Sequence, residues 1–272
     1  MMNTSPDILF LSHGGGPLPL LGDPDHQEMV ESLKGIANVI SKPSAILVIS
    51  AHWEASVPTI TSGAAPELIY DYAGFPPEAY RIQYPCQGEP ELAQQVSRTL
   101  ENAGIPAQQD AQRGFDHGVF VPLKIMYSEA DIPCVQLSLV NNLDADTHLA
   151  IGRALKSLEH ENLLVIGSGF SFHNMREFFS PTTPDSQAKN KAFEDWLVTT
   201  CSSQDIDEAE RTRRLANWDK APHARFCHPR EEHLLPLHVC YGLAGRPSDK
   251  QLSATILNKA SGMFYWSRKS AT

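Results

Sequence analysis

Apolar positions fall along the chain in two different rhythms. The runs Ile8-Leu9-Phe10-Leu11, Ala45-Ile46-Leu47-Val48-Ile49 and Leu163-Leu164-Val165-Ile166 are too short for ordinary helices and lack the polar alternation of half-exposed strands. They predict strands covered on both faces, as in parallel α/β sheets, and residues 134–140 predict another strand. Between these runs, apolar residues recur at helical spacing. Met29, Val30, Leu33, Ile36, Val39 and Ile40 mark a helix over 25–40, and Leu92, Ala93, Val96 and Leu100 mark one over 90–103 that Gly104 stops. A buried helix over 119–127 is expected to be entered through Pro122, and a crossover helix over 147–158 leads into the strand at 163. Strand and helix alternate, so the pattern predicts one α/β domain over residues 1–272, with a mostly parallel central sheet flanked by helices.

Other stretches break the alternation. Residues 56–68 are polar and contain proline, and residues 69–85 are rich in tyrosine and proline, including Tyr70, Tyr72, Phe75 and Tyr80. The second of these predicts a stiff aromatic loop that either walls a pocket or docks on the body through its rings. From 181 to 224 the chain is polar, with a helical piece at 192–198 carrying Phe193, Trp196 and Leu197.

The strands matter for how they end. One stops on Ser12-His13, one on Ser50-Ala51-His52-Trp53, and one passes through Gly167-Ser168-Gly169 to His173. Open parallel sheets bind ligands beyond the carboxyl ends of their strands, so three imidazoles at equivalent ends predict one shared site there. Gly14-Gly15-Gly16 after the first strand is a turn or a close approach to a ligand, without dinucleotide or P-loop spacing. In Arg113-Gly114-Phe115-Asp116-His117-Gly118, His117 is a further candidate, and Asp116 either orients its ring or caps the following helix.

His223, His228, His233 and His238 are five apart, a step of ~140° on a helix, so they cannot share one helix face. Nor do they form the HExxH of zinc proteases. Pro229 and Pro236 place a helix start within this stretch, with Glu231 and Glu232 near its positive end. His228, His233 and the two glutamates are candidates, whereas His238 lies in an apolar run and reads as core.

Composition removes several function classes. The net charge is −10, with no basic block, which argues against nucleic acid as a partner. The N-terminal stretch 1–7 has no basic segment followed by an apolar core, and no apolar run approaches the ~20 residues of a membrane span. Five scattered cysteines without a CxxC pair suggest reduced thiols, so the expectation is a cytoplasmic protein that does not engage a membrane.

Imidazoles from separate strand ends suit zinc, iron or another first-row metal, and a spare histidine suits acid/base work. Ser168 lacks the nucleophile-elbow pattern, so serine hydrolysis is poorly supported. Such a cluster is open to a zinc hydrolase, with His173 or Glu232 activating water, and to a metal-binding protein without catalysis.

Leu11-Ser12-His13-Gly14, Ser50-Ala51-His52-Trp53, Gly74-Phe75-Pro76, Gly114-Phe115-Asp116-His117-Gly118, Ser168-Gly169 through His173-Asn174, and Glu232-His233 with Pro236-Leu237 occur in one order from residue 10 to about 245. Together they resemble the class III extradiol ring-cleaving dioxygenases, most closely the DOPA 4,5-dioxygenase type. The resemblance implies a non-haem Fe(II) enzyme that opens a catechol beside its two hydroxyls, with a small catechol and O2 as partners and a ring-opened semialdehyde as product. Position by position, it implies His13, His52 and His233 as metal ligands, His173 as the acid/base and His117 as a group facing substrate and oxygen. In the broader family the third ligand is a glutamate, so coordination through Glu232 stays open, and His228 has no counterpart. Zinc generally outcompetes Fe(II) at nitrogen sites, so Zn(II) can occupy the purified protein whatever the native metal, and the metal found on purification does not decide the activity. Arg81, Lys124, Arg176 and Arg230 are the cations that could meet a substrate carboxylate, and the sequence fixes neither a choice among them nor the oligomeric state.

Overall fold

The aliphatic runs without polar alternation form the middle of one sheet, where both faces are covered. A computed structural model describes residues 5–268; the first part of the N-terminal stretch on which the expectation of no export signal rests, residues 1–4, lies outside the described residues. The chain begins with β1 (Asp7–Ser12), α1 (Gln27–Ala37), β2 (Ala45–Ala55) and β3 (Thr59–Thr61). It continues through α2 (Pro90–Asn102), β4 (Gln108–Asp110), α3 (His117–Met126), β5 (Cys134–Val140), α4 (Ala145–Ala154) and β6 (Leu163–Gly169). Four helices follow, α5 (Met175–Phe178), α6 (Pro184–Ser202), α7 (Glu208–Ala216) and α8 (Ala224–Cys227). Then come α9 (Leu235–Ala244) and the hairpin β7 (Lys250–Ile256) and β8 (Lys259–Trp266).

The strand order is β4-β3-β5-β2-β6-β1-β8-β7. The four central strands β5, β2, β6 and β1 are parallel, while β8 joins β1 and β3 joins β5 antiparallel. Alternate residues of β1 feed two cores. Ile8 and Phe10 pack with Leu149 of α4 and Leu237 of α9, whereas Leu9 and Leu11 pack with Leu33 of α1 and Leu123 of α3. Among the described residues no helix is long and apolar enough to cross a membrane.

Several local expectations are corrected. The stretch 56–68 contains β3, and residues 108–110 form β4; three-residue strands are too short to show a period. The helical piece at 192–198 is the middle of α6, whose start is fixed upstream by a capping box between Thr183 and Ser186 and by Pro184 in the first turn. Pro122 lies inside α3 and does not open it. α9 begins only at Leu235, so Glu231 and Glu232 stand in the turn before it, and the Glu231 carbonyl accepts the Leu234 and Leu235 N–H groups at 2.9 and 3.1 Å.

Candidate metal centre

Register places two serines side by side, with a third one step on, before the chain reaches its histidines. Ser168 of β6 pairs with Leu11 on one side and Ser50 on the other. His13 follows β1 directly, its N–H donated to the Gly169 carbonyl at 3.0 Å. His52 lies beyond the last β2–β6 pair, where the pairing of β2 with β5 also shifts between Ile49 and Glu54. That break lets the end of β2 turn a side chain into the space above the sheet.

Two glycines let other segments close on these strand ends. A Cβ on Gly169 would lie 2.1 Å from the His233 carbonyl oxygen, which instead accepts the Phe170 N–H at 2.8 Å and so holds the turn before α9 against β6. A Cβ on Gly118 would meet Ser50 Oγ at 2.4 Å and His52 Cδ2 at 3.2 Å; its absence brings the start of α3, and with it His117, against β2.

The five histidines named from sequence all line one cavity of about 260 Å³, together with Gly14, Gly15, Gly16, Tyr72 and Phe75. The aromatic loop therefore does both things expected of it. Its rings wall the cavity, while the Tyr70 and Tyr72 hydroxyls donate back to the Ile82 and Ala79 carbonyls at 2.7 Å each.

Donor chemistry singles out three of the rings. Pro122 has no N–H for the Gly118 carbonyl four residues earlier, and the Ser168 hydroxyl donates to that carbonyl instead. With its proton so used, Ser168 Oγ accepts from His13 Nδ1 at 3.1 Å, which leaves Nε2 of His13 with a free lone pair. His233 Nδ1 donates to Glu232 Oε1 at 2.8 Å, and His52 Nδ1 stands 3.5 Å from Asp71 Oδ2. His13 Nε2 and His52 Nε2 are 3.1 Å apart, and donor atoms of His13, His52 and His233 all lie within 4.8 Å of one another. Two nitrogens bound tetrahedrally to one ion at ~2.0–2.1 Å stand roughly 3.3–3.4 Å apart. With Nδ1 of His13 on Ser168 and Nδ1 of His52 turned toward Asp71, this spacing of the two Nε2 atoms fits an ion held between them. Burial, followed by the neighbouring imidazoles, lowers the pKa of His13 and His52 well below the ordinary value, and that of His233 to about 3. Neutral imidazole is the form that binds metal.

His117 and His173 stand beside this group. His117 lies against His52, ring centroids 3.9 Å apart, and His173 stacks on His233 at 3.4 Å. Their Nδ1 atoms approach carboxylates: Asp71 Oδ1 at 2.8 Å for His117 and Glu232 Oε1 at 3.3 Å for His173. Burial alone would raise the pKa of Glu232, but hydrogen bonds from the His173 and His233 rings outweigh it and hold the carboxyl well below its usual range.

The structure does not bring the remaining candidates together in this way. Asp116 neither orients His117 nor caps α3 with its side chain; Oδ1 accepts from Ser50 Oγ at 2.7 Å and Oδ2 from Gln136 Nε2, a bracket between β2 and β5. His228 is fully buried on the Ser171 carbonyl, and His238 is core, as expected. Arg230 forms a two-pronged ion pair with Glu54, and Lys124 bonds the Gln83 carbonyl. Arg176 lines a second cavity of about 520 Å³ on the other side of His173, with Arg225, Arg230 and Glu232. The residue that sequence reasoning missed is Asp71, whose only signal was an acid set between two tyrosines of an aromatic loop.

The chain is similar to known proteins over most of its length. The family described as the catalytic LigB subunit of aromatic ring-opening dioxygenase matches residues 7–267. The chain is 38% identical over 250 residues to a 4,5-DOPA dioxygenase extradiol of Beta vulgaris, covering 90% of each. It is 40% identical over 254 residues to the dioxygenase tasH of Hapsidospora irregularis, covering 87% of this chain and 78% of that one. A crystal structure of the uncharacterized protein JW3007 from Escherichia coli K12 superposes with a TM-score of 0.71 at 28% identity, covering 97% of this chain and all of that one.

Proposed function

The chain belongs to the LigB family and is a metal-dependent aromatic ring-cleaving dioxygenase, and from that premise we propose that it opens a catechol beside its hydroxyls, with Fe(II) held by His13, His52 and His233. The observation that carries this reading is the convergence of three neutral imidazoles, of which His13 and His233 have Nδ1 already hydrogen-bonded and His52 turns Nδ1 toward Asp71. Family membership favours ring cleavage over a zinc hydrolase or a non-catalytic metal binder. Glu232 is read as a partner of His233 and not a ligand, because its Oε1 already accepts from that ring.

Fe(II), when bound, gives catechol and O2 a common site through which electrons pass between them. The protein's own residues handle protons and position. His173, with Nδ1 turned to Glu232, takes a catechol proton on Nε2 and returns it when the ring-opened product needs it. His117, backed by Asp71, becomes a cation on accepting a proton and then stabilises negative charge developing on substrate and oxygen. Tyr72, Phe75, Phe170 and Phe178 supply an apolar wall for a flat ring and keep bulk water from it. The arginine-lined cavity beyond His173 supports a catechol whose side chain carries a carboxylate, DOPA being one such compound. One continuous sheet supports a single catalytic domain over residues 1–272, and five buried free cysteines support a cytoplasmic setting.

The test is anaerobic reconstitution with Fe(II), followed by admission of O2 with a panel of catechols that includes DOPA and protocatechuate. Oxygen uptake and a yellow product in the Fe(II) sample, but not in a zinc-loaded control, are expected. A verified Fe(II)-loaded sample that consumes no oxygen with any catechol of the panel contradicts the reading.

A further inference from the structure

The two carboxylates at the site occupy matching positions. Asp71 comes from the aromatic loop between β3 and α2, and Glu232 from the turn ahead of α9, so they arrive from unrelated segments. Yet each faces a pair of rings in contact: Asp71 the pair His52 and His117, Glu232 the pair His233 and His173. In each pair one ring belongs to the metal-ligand set and the other does not.

We propose that Asp71 and Glu232 are positioning residues that each hold one metal-ligand imidazole and one proton-transferring imidazole in the same tautomer, with Nδ1 protonated and Nε2 free. The inference rests on the ligand assignment above. A carboxylate only accepts, so the Nδ1 atoms bonded to it at 2.8 Å, on His117 and His233, carry the hydrogen, and the carboxylates draw His173 at 3.3 Å and His52 at 3.5 Å toward the same tautomer. The opposite nitrogen then keeps its lone pair, for metal on His52 and His233 and for a substrate proton on His117 and His173. Partners of this kind around metal-bound histidines fix ring orientation and typically contribute ~10–100-fold in metal affinity or activity.

The two clamps differ in how their oxygens are used. Asp71 Oδ1 accepts both the ring Nδ1–H of His117 at 2.8 Å and its backbone N–H at 3.0 Å, while Oδ2 is the atom nearest His52, at 3.5 Å. Glu232 serves both rings from Oε1, at 2.8 and 3.3 Å, and Oε2 stands 3.4 Å from the Arg230 guanidinium. An amide replacement therefore acts differently at the two positions. In Asp71→Asn the single oxygen stays with the two His117 donors, and the NH2 group points at His52 Nδ1. His52 then answers with a lone pair on Nδ1 and moves its proton to Nε2, the nitrogen that should hold metal. In Glu232→Gln the single oxygen still serves both rings.

Zn(II) affinity, measured by competition with a chelator and independent of turnover, reads this difference. Asp71→Asn and Glu232→Ala are expected to weaken Zn(II) by ~10–100-fold, with Glu232→Gln close to wild type. Turnover per bound Fe(II) is expected to fall in Asp71→Asn, which takes the carboxylate charge from behind His117, and to fall further in Asp71→Ala, which frees the His117 ring as well. Wild-type Zn(II) affinity in both Asp71→Asn and Glu232→Ala overturns the inference. His13→Ala and His52→Ala separate it from the ligand reading, because they lose Zn(II) if the ligands are right, whatever the carboxylates do. A measurement without variants covers the case of misfolding: long-range proton–nitrogen NMR of the zinc-loaded wild type reports the tautomer of each ring. Protonated Nδ1 on His52, His117, His173 and His233 supports the clamps, and a neutral ring among them with its proton on Nε2 overturns the one that holds it.

Discussion

Two groups of histidines are equally hidden in this protein and entirely unlike in what they touch. His26, His148, His228 and His238 are 0% exposed, slightly less than His13 at 1% and His233 at 5%. Each of the first four spends a ring nitrogen on the backbone: His26 on the Gly15 N–H, His148 on the Val140 N–H, and His228 and His238 on the Ser171 and Leu215 carbonyls. His13 and His233 bond side chains through Nδ1 instead and turn toward other imidazoles. Burial thus fails to mark the site. The distinguishing feature is a ring nitrogen that faces other imidazoles, as Nε2 of His13 faces Nε2 of His52 at 3.1 Å, an arrangement that suits a cation.

The sharpest way to break this comparison is to remove one ring from each side. His52→Ala is expected to abolish both metal binding and oxygen uptake, with little change in thermal midpoint, as read by metal analysis and calorimetry. His173→Ala is expected to keep its metal and lose ~10²–10⁴-fold in turnover, because a positioned acid/base contributes that much. His238→Ala should instead cost stability and spare the metal. It leaves the buried Leu215 carbonyl unpaired, at a cost of about 1–3 kcal/mol in urea denaturation, while metal stoichiometry stays at the wild-type value.

A pH effect tests one backbone-bound histidine. Burial lowers the pKa of His148 from 6.5 to about 4, so the folded state resists protonation more than the unfolded chain does. Its contribution to stability is therefore full above about pH 6.5 and is lost as pH falls toward 4. In His148→Gln the fall in stability across that window is expected to be shallower, measured by denaturation at several pH values. An unchanged slope would show that another group carries the acid sensitivity.

Legibility in the sequence followed the length of each signal. The central strands could be read because unbroken aliphatic runs have few other uses, and His13 and His52 could be read because they end two such runs. His117 and His233 were reached through the motifs around them. The hairpin of β7 and β8 was not foreseen: β7 is exposed over most of its length and its polar residues, Lys250, Gln251 and Ser253, give no aliphatic run. β3 and β4 were too short to carry a pattern. The links that set tautomers were beyond reach for a different reason. Pro122 frees the Gly118 carbonyl, Ser168 takes it, and His13 is thereby oriented, but β6 and α3 are far apart in sequence and only folding joins them. Asp71 is the same case, 46 positions from the His117 it holds.

The central claim is that one metal sits among His13, His52 and His233, and not in either neighbouring cluster, His52 with Asp71 and His117 or His173 with Glu232 and His233. Anomalous diffraction from crystals loaded with Fe(II) anaerobically, or with Zn(II), at the absorption edge of the metal locates it directly. A single peak within ~2.0–2.2 Å of Nε2 on all three histidines is the predicted result. A peak coordinated by Asp71 or by Glu232 would contradict the account, since that carboxylate would then be a ligand and could not hold the imidazoles beside it.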